Sequence, residues 1–368
     1  MGVFNRLALT DNDGNLHPKI IKALMANKNF RPSGGSSSGG PATVSDPENG
    51  VVRIATDSSA EVVMPVIDAE GHFSGAALSA INSLFTTKFL KTQERAVWVP
   101  TYWWADYYND GEPGKASKWA KVLAKPYTPE LVVININSGS GDRFDDDFLQ
   151  QSRRAKAAGA LVLGYVRTTW GERNPEEIYT ECANHVKWYG VDGFFLDEYP
   201  NGWSHQAGLE KTMQKIYDHI KRVYPDKLII GNPGANTVTD MVAATDVSMT
   251  YENSASIYLG EGGENDGRGE FARWEYRDFP AWRFWHCVHD VKNPEQAIKI
   301  LRKMSKLPVR AVYLTDDTIY TESGERIANP YDEPPVQWLW ELQHAWTKGD
   351  LLFDYFVEKN YPQYKDVR

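Results

Sequence analysis

Three carboxylates mark where chemistry could sit in this chain. Asp197 and Glu198 end an apolar run, GFFLDE (193–198), and Glu252 lies near the end of another, DVSMTYEN (246–253). Breaking a glycosidic bond needs one acid to protonate the leaving oxygen. It also needs a second carboxylate, or the substrate itself, to meet the oxocarbenium charge. On a regular strand Asp197 and Glu198 face opposite ways, so one lines a pocket and the other orients it or bonds a neighbouring strand. Carboxylates brought close together push their pKa values apart, which leaves one protonated near neutral pH. For any one of these acids alone, a helix cap or an ion pair at a loop is the alternative.

The elements that must carry these acids are read from periodicity. Apolar β runs occur at AVWVPTYWW (96–104), LVVININ (131–137), LVLGYVR (161–167), GFFLDE (193–198), LIIGNPG (228–234), DVSMTYEN (246–253), RFWHCVHD (283–290) and VRAVYLTDD (309–317). Helical patterns fall between them, with one face through Ile178, Cys182, Val186 and Tyr189 and another through Leu209, Met213, Ile216, Ile220 and Val223. Strands this apolar, alternating with helices, imply a parallel sheet covered on both faces. The fold class expected is α/β, a (β/α)8 TIM barrel. A doubly wound sheet would place a Gly-rich phosphate turn after its first strand, whereas this strand runs into PTYWWADYYND.

Barrel enzymes gather their chemistry at the C-terminal strand ends. That rule adds Asn135 and Asn137, Tyr165 and Arg167, and Asn232 as candidate substrate contacts. Asp316 and Asp317 read instead as a capping or loop turn. With 13 Trp and 19 Tyr the chain can supply flat aromatic faces for pyranose rings. Trp103, Trp170, Tyr199 and Trp203 fall at or just beyond strand ends, so they join the candidate substrate-binding set; Trp104 shares that position. Trp188, Trp338, Trp340 and Trp346 sit on helices and read as packing. His286 and His289 are three apart on a strand, on opposite faces, which argues against a metal pair. No HExxH or CxxC motif is present, and neither a metal nor another cofactor is expected. Cys182 and Cys287 read as buried free thiols.

Around the barrel (95–350), the expected organisation is a short docking segment (1–30), a Gly/Ser/Pro linker (31–50), lead-in strands and a helix (51–94), and a tail (351–368). The formal net charge of −9 disfavours a nucleic-acid partner. No run reaches the length of a membrane span, and no secretory h-region is seen.

Taken in order, NINSGSGD, LGYVRTTWGER, WYGVDGFFLDEYP, IIGNPG and TYEN resemble the spherulin-4-like proteins. The resemblance spans about residues 95 to 320. It implies a barrel glycoside hydrolase acting on α-1,4-linked galactosamine or N-acetylgalactosamine polymers, with Asp197, Glu198 and Glu252 at the positions of the family's essential acids. Two departures stand out: Trp170, where a Tyr is frequent, and an insertion-like GEGGENDGRGEF (260–271). The expected partner is therefore a polysaccharide. A docking segment and flexible linker without a signal peptide fit carriage on a phage tail through residues 1–50, acting outside the cell; secretion or surface display by a non-classical route is the alternative. Two other functions fit the same scaffold, a glycan-gripping adhesin without catalysis and a structural tail subunit.

Overall fold

The computed structural model describes residues 43–44, 51–55, 61–65, 95–109, 117–261, 279–319, 325 and 329–367. Two compact units divide the chain, 1–92 with 215–226 and 93–214 with 227–368. In the first, β1 (Thr43–Val44), β2 (Val51–Ala55) and β3 (Glu61–Pro65) form an antiparallel sheet in that order. The expected strands after residue 51 are β2 and β3, while β1 lies inside the stretch read as linker. The docking segment (1–30), the helix expected in the lead-in stretch, the rest of the linker, and residues 262–271 of the insertion lie outside the described residues.

The second unit is a (β/α)8 TIM barrel. Strands β4 (Ala96–Thr101), β5 (Leu131–Ile134), β6 (Leu161–Arg167), β7 (Gly193–Asp197), β8 (Leu228–Gly231), β9 (Val247–Ser254), β10 (Phe284–His289) and β11 (Ala311–Leu314) close in the order β10-β11-β4-β5-β6-β7-β8-β9. Every β4, β5, β8 and β11 residue is buried, as parallel strands covered on both faces require. Trp285 on β10 touches Trp98 on β4 and Phe195 on β7, each at 5.7 Å between ring centroids. These strands are not neighbours, so all three rings lie inside the barrel. Each such ring contributes roughly 1.5–3 kcal/mol by burial.

Helices start where the sequence supplies caps. Asp145 caps α1 (Asp146–Ala158), and Asn174, ahead of Pro175, caps α2 (Pro175–Asn184). The face expected on the segment after β6 is altered at its end. Beyond Asn184 the chain widens into a π-turn, His185–Tyr189, that buries His185 and Tyr189 rather than Val186. A Cβ on Gly164 would come within 2.4 Å of the His185 ring, so glycine there lets the ring lie on β6. On the helix Glu210–Val223, Met213, Ile216 and Ile220 are buried as expected, but Val223 is exposed. The stretch expected as a tail is helical over Asp350–Asn360, because Phe353 and Val357 recur four apart and both are buried. No helix among the described residues is long and apolar enough to cross a membrane. Both cysteines are buried free thiols.

Candidate active site

The parity of β7 sets the first acid. Phe195 points into the barrel, so Asp197, two residues on, points into its C-terminal mouth. Its Oδ2 accepts a hydrogen bond from the Tyr165 hydroxyl at 2.6 Å and its Oδ1 accepts one from Asn232 Nδ2 at 2.7 Å. The same Nδ2 donates to Glu252 Oε2 at 2.9 Å, so one amide bridges acids from β7 and β9.

A bulge sets the second acid. Met249 pairs with the inward-facing Trp285, but the register then shifts and Glu252 pairs with Cys287. One extra residue on β9 thus turns Glu252 to the inner face, where plain alternation from Met249 would aim it outward. Asn232 is held by its own backbone: its N–H donates to the Leu196 carbonyl and its carbonyl accepts from the Tyr199 N–H, each at 2.9 Å. Its Oδ1 accepts from the Gly234 N–H at 2.8 Å, which commits the amide NH2 to the two carboxyls.

Glu198 does not join this pair. Its φ of +50 breaks the strand, and its carboxylate meets Arg167 Nε at 2.6 Å at the rim. Thr168 Oγ1 secures the turn by donating to the carbonyls of Asp197 and Glu198, at 3.0 and 2.7 Å. One layer further out, Arg173 donates to the Arg167 carbonyl at 2.8 Å and pairs with Glu181, which steadies the end of β6. The neutral His185 ring bonds the Tyr165 carbonyl at 2.7 Å, and burial lowers its pKa to about 4.

Burial drives the electrostatics of the acid pair. It pushes Glu252 up to about 7, assisted by the Asp197 charge and opposed by Asn232 and Tyr331. Burial also raises Asp197, against the hydrogen bonds from Tyr165 and Asn232. Two donors favour the charged form of Asp197 where Glu252 accepts one at hydrogen-bonding distance, so the hydrogen bonding favours Asp197 as the ionised member of the pair.

The remaining expected contacts divide by position. Tyr165 and Asn232 lie in the site. Arg167 and Trp170 lie at its rim, where the Trp170 N–H donates to the Glu198 carbonyl at 2.6 Å. Asn135 Oδ1 accepts from the Gly139 N–H at 3.2 Å and closes a loop, while Asn137 and Trp203 are exposed. Trp103 and Tyr199, expected to present flat faces to sugar, are instead buried at 3% and 1% exposure. Strand parity turns Trp103 away from the mouth, and its Nε1 bonds the Tyr331 carbonyl at 2.7 Å. Tyr199 packs over Gly231, and its hydroxyl bonds the Ala244 carbonyl at 3.0 Å. His286 bonds Tyr258, and His289 bonds Asp290. Asp316 Oδ1 caps the N–H of Val336, and Asp317, raised to about 6 by burial and by Asp332, accepts from the Thr318 N–H.

Tyr102 and Tyr331, absent from the sequence-based candidates, wall the mouth. Tyr102 lies edge-on to Tyr165 at 5.5 Å and to Tyr331 at 6.1 Å, beside both acids. The alternation Trp98, Pro100, Tyr102 carries the signal for the first. Tyr331 comes from a loop, where no periodicity points to it.

These features define a parallel (β/α)8 barrel with an amide-bridged pair of buried carboxyls at its C-terminal mouth. Residues 96–333 match the family model of Spherulin4, the spherulation-specific family 4, and the chain belongs to that family. It is similar to spherulin-4 of Physarum polycephalum, 24% identical over 213 residues that cover 55% of this chain and 60% of that protein. The match thus spans less than two thirds of that relative's length. In structure it is similar to Aspergillus clavatus Sph3 in complex with GalNAc, with a TM-score of 0.52 at 20% identity, covering 68% of this chain and 98% of that one. At that identity the likeness is one of fold.

Proposed function

We propose that the protein is an endo-acting glycoside hydrolase that cleaves a galactosamine- or N-acetylgalactosamine-type cell-surface polysaccharide at the Asp197–Glu252 pair. The observation that carries this reading is the Asn232 bridge, which sets two inward carboxyls of unequal basicity side by side in a barrel mouth walled by tyrosines. The GalNAc bound to the similar Sph3 supports the substrate class.

In the proposed reaction protonated Glu252 gives its proton to the leaving glycosidic oxygen as the Asp197 carboxylate bonds the anomeric carbon. The leaving sugar departs with that proton and a glycosyl ester remains on Asp197. Glu252, now a carboxylate, takes a proton from water; the oxygen of that water bonds the anomeric carbon and Asp197 is released as its carboxylate. Oxygens at 2.7 and 2.9 Å from one nitrogen cannot lie further apart than those lengths combined. Contact through a single nitrogen favours the short carboxyl separation of retaining pairs, about 5–5.5 Å, over the roughly 6.5–9.5 Å of inverting ones, so the expected outcome is retention of the anomeric configuration. Cleavage requires Asp197 ionised and Glu252 protonated, so the rate falls as pH rises through about 7.

The test is incubation with galactosamine polymers of defined acetylation and with bacterial wall glycans. Product size and first-formed anomer are read for the wild type, Asp197→Asn and Glu252→Gln. Expected are retained oligosaccharides from the wild type and losses of about 10²–10⁴-fold in the variants. Equal cleavage by all three removes the assignment, and binding without cleavage favours a glycan-gripping protein. We propose phage-tail carriage through residues 1–50 as the means of delivery, supported by the Gly/Ser-rich stretch behind a short amphipathic segment; recovery of purified virions without this chain would refute it.

A further inference from the structure

Tyr331 enters the mouth from the loop after β11, and its backbone is fully committed. Its N–H donates to Asn329 Oδ1 at 2.9 Å and its carbonyl accepts from Trp103 Nε1 at 2.7 Å. The ring is wedged edge-on against Tyr102 at 6.1 Å and tilted against Tyr313 at 5.9 Å, and the residue is 3% exposed. A phenol held this rigidly has one free choice, the torsion of its hydroxyl. That hydroxyl is buried facing Glu252, and its hydrogen bonding opposes the upward shift of the acid. A hydroxyl donor favours the charged carboxylate over the protonated acid, so its bond tightens as Glu252 loses its proton.

Glu252 is faced by Asp197 from β7, by Asn232 after β8, by Cys287 on β10, by Tyr102 beyond β4 and by Tyr331. Asp197 repels its charge, and the Asn232 amide is divided between both acids. Cys287 is a buried thiol whose own ionisation both acids oppose. A donor that strengthens as Glu252 becomes charged therefore has to come from the tyrosine wall, and Tyr331 has its phenol held in place from both sides.

We propose that Tyr331 is a positioning residue for Glu252, its hydroxyl closing on the carboxylate as the proton leaves and holding that carboxylate toward the departing sugar. A hydrogen bond made to the charged form alone favours the transition state over the ground state. The role rests on the reading of Glu252 as the acid, so its test includes a measurement that needs no substrate.

Glu252 is titrated by carbon-13 NMR on glutamate-labelled protein, its signal assigned by loss in Glu252→Gln. Tyr331→Phe keeps the ring and removes the hydroxyl. Tyr313→Phe is the control, since that hydroxyl, equally buried, faces Cys287 and Asp317 instead. Expected for Tyr331→Phe are a Glu252 midpoint raised above the wild-type value of about 7, an upper limb of the pH–rate profile moved the same way, and kcat down about ten-fold, the effect of ~1.4 kcal/mol, with KM nearly constant. An unmoved midpoint overturns the proposal, as does an equal shift in Tyr313→Phe. A midpoint that moves in a protein cleaving no glycan upholds Tyr331 as a partner of Glu252 and removes the hydrolase reading instead.

Discussion

Removing the bridging amide, by Asn232→Ala, should disturb both acids at once and in the same direction. Asn232 Nδ2 donates to Asp197 Oδ1 at 2.7 Å and to Glu252 Oε2 at 2.9 Å, and both bonds favour the ionised acids. A hydrogen bond to a charged group is worth roughly 1.5–3 kcal/mol. Two such bonds are lost and water entering the space restores about half of their sum, which leaves a deficit of about 1.5–3 kcal/mol in the transition state and a fall of roughly ten- to a hundred-fold in kcat/KM. Without the donor both carboxyls hold their protons more tightly, so the lower limb, where Asp197 must ionise, and the upper limb, where Glu252 must stay protonated, both move to higher pH.

The assay is kcat/KM across the pH range on one galactosamine oligosaccharide, with thermal unfolding alongside. A shift of about one pH unit corresponds to 1.36 kcal/mol between protonation states, well within reach of such a profile. Loss of rate with both limbs unmoved would mean that Asn232 only packs. Loss of less than about three-fold would mean that the bridge does not act in the reaction.

Two further outcomes follow from the same electrostatics. Glu252 sits above its ordinary value in the folded state, so its contribution to stability is complete below pH ~4.5 and is lost as pH rises through about 7. Glu252→Gln should therefore gain melting temperature relative to the wild type over that window, and a difference constant with pH would refute the burial account. Glu198→Gln should cost about ten-fold or less in kcat and leave the upper limb in place, because its rim ion pair with Arg167 is partly exposed and such pairs hold about 0–1 kcal/mol. A loss as large as that of Glu252→Gln would move Glu198 into the reacting pair.

The barrel was legible because each of its strands is an apolar run, and the acids were legible because they close two such runs. What joins the acids was not. Counting alternate residues from Met249 sends Glu252 to the wrong face, and only the register shift against β10 corrects it. Trp103 is the larger aromatic at the end of its run, although the alternation from Trp98 favours Tyr102. Tyr331 lies far along the chain in a Pro-flanked loop, and its place over Glu252 depends on an indole–carbonyl bond to Trp103 that no local pattern announces. The aromatic expected to touch sugar thus serves to hold the one that faces the acid. The spacing alone carries the helical face after β6 through Val186, because nothing local reveals that Gly164 makes room for the His185 ring.

The backbone carries the same division between the two ends of the barrel. Among the described residues, the non-glycine positions in the left-handed region are Ser138, Thr169, Trp170, Glu198, Ser204 and Asp290. All follow a strand at its C-terminal side: β5 for Ser138, β6 for Thr169 and Trp170, β7 for Glu198 and Ser204, and β10 for Asp290. Each such residue costs on the order of 1–3 kcal/mol and persists only where surrounding bonds over-determine it. The bonds are present where the acids are: Thr168 clamps the turn at Glu198, and the Asp290 N–H reaches the Asp317 carbonyl at 2.8 Å. A barrel built for stability alone has no reason to load one rim in this way. The uneven distribution of strain supports the proposed site at the mouth that holds Asp197 and Glu252, and it does so independently of the pKa values of either acid.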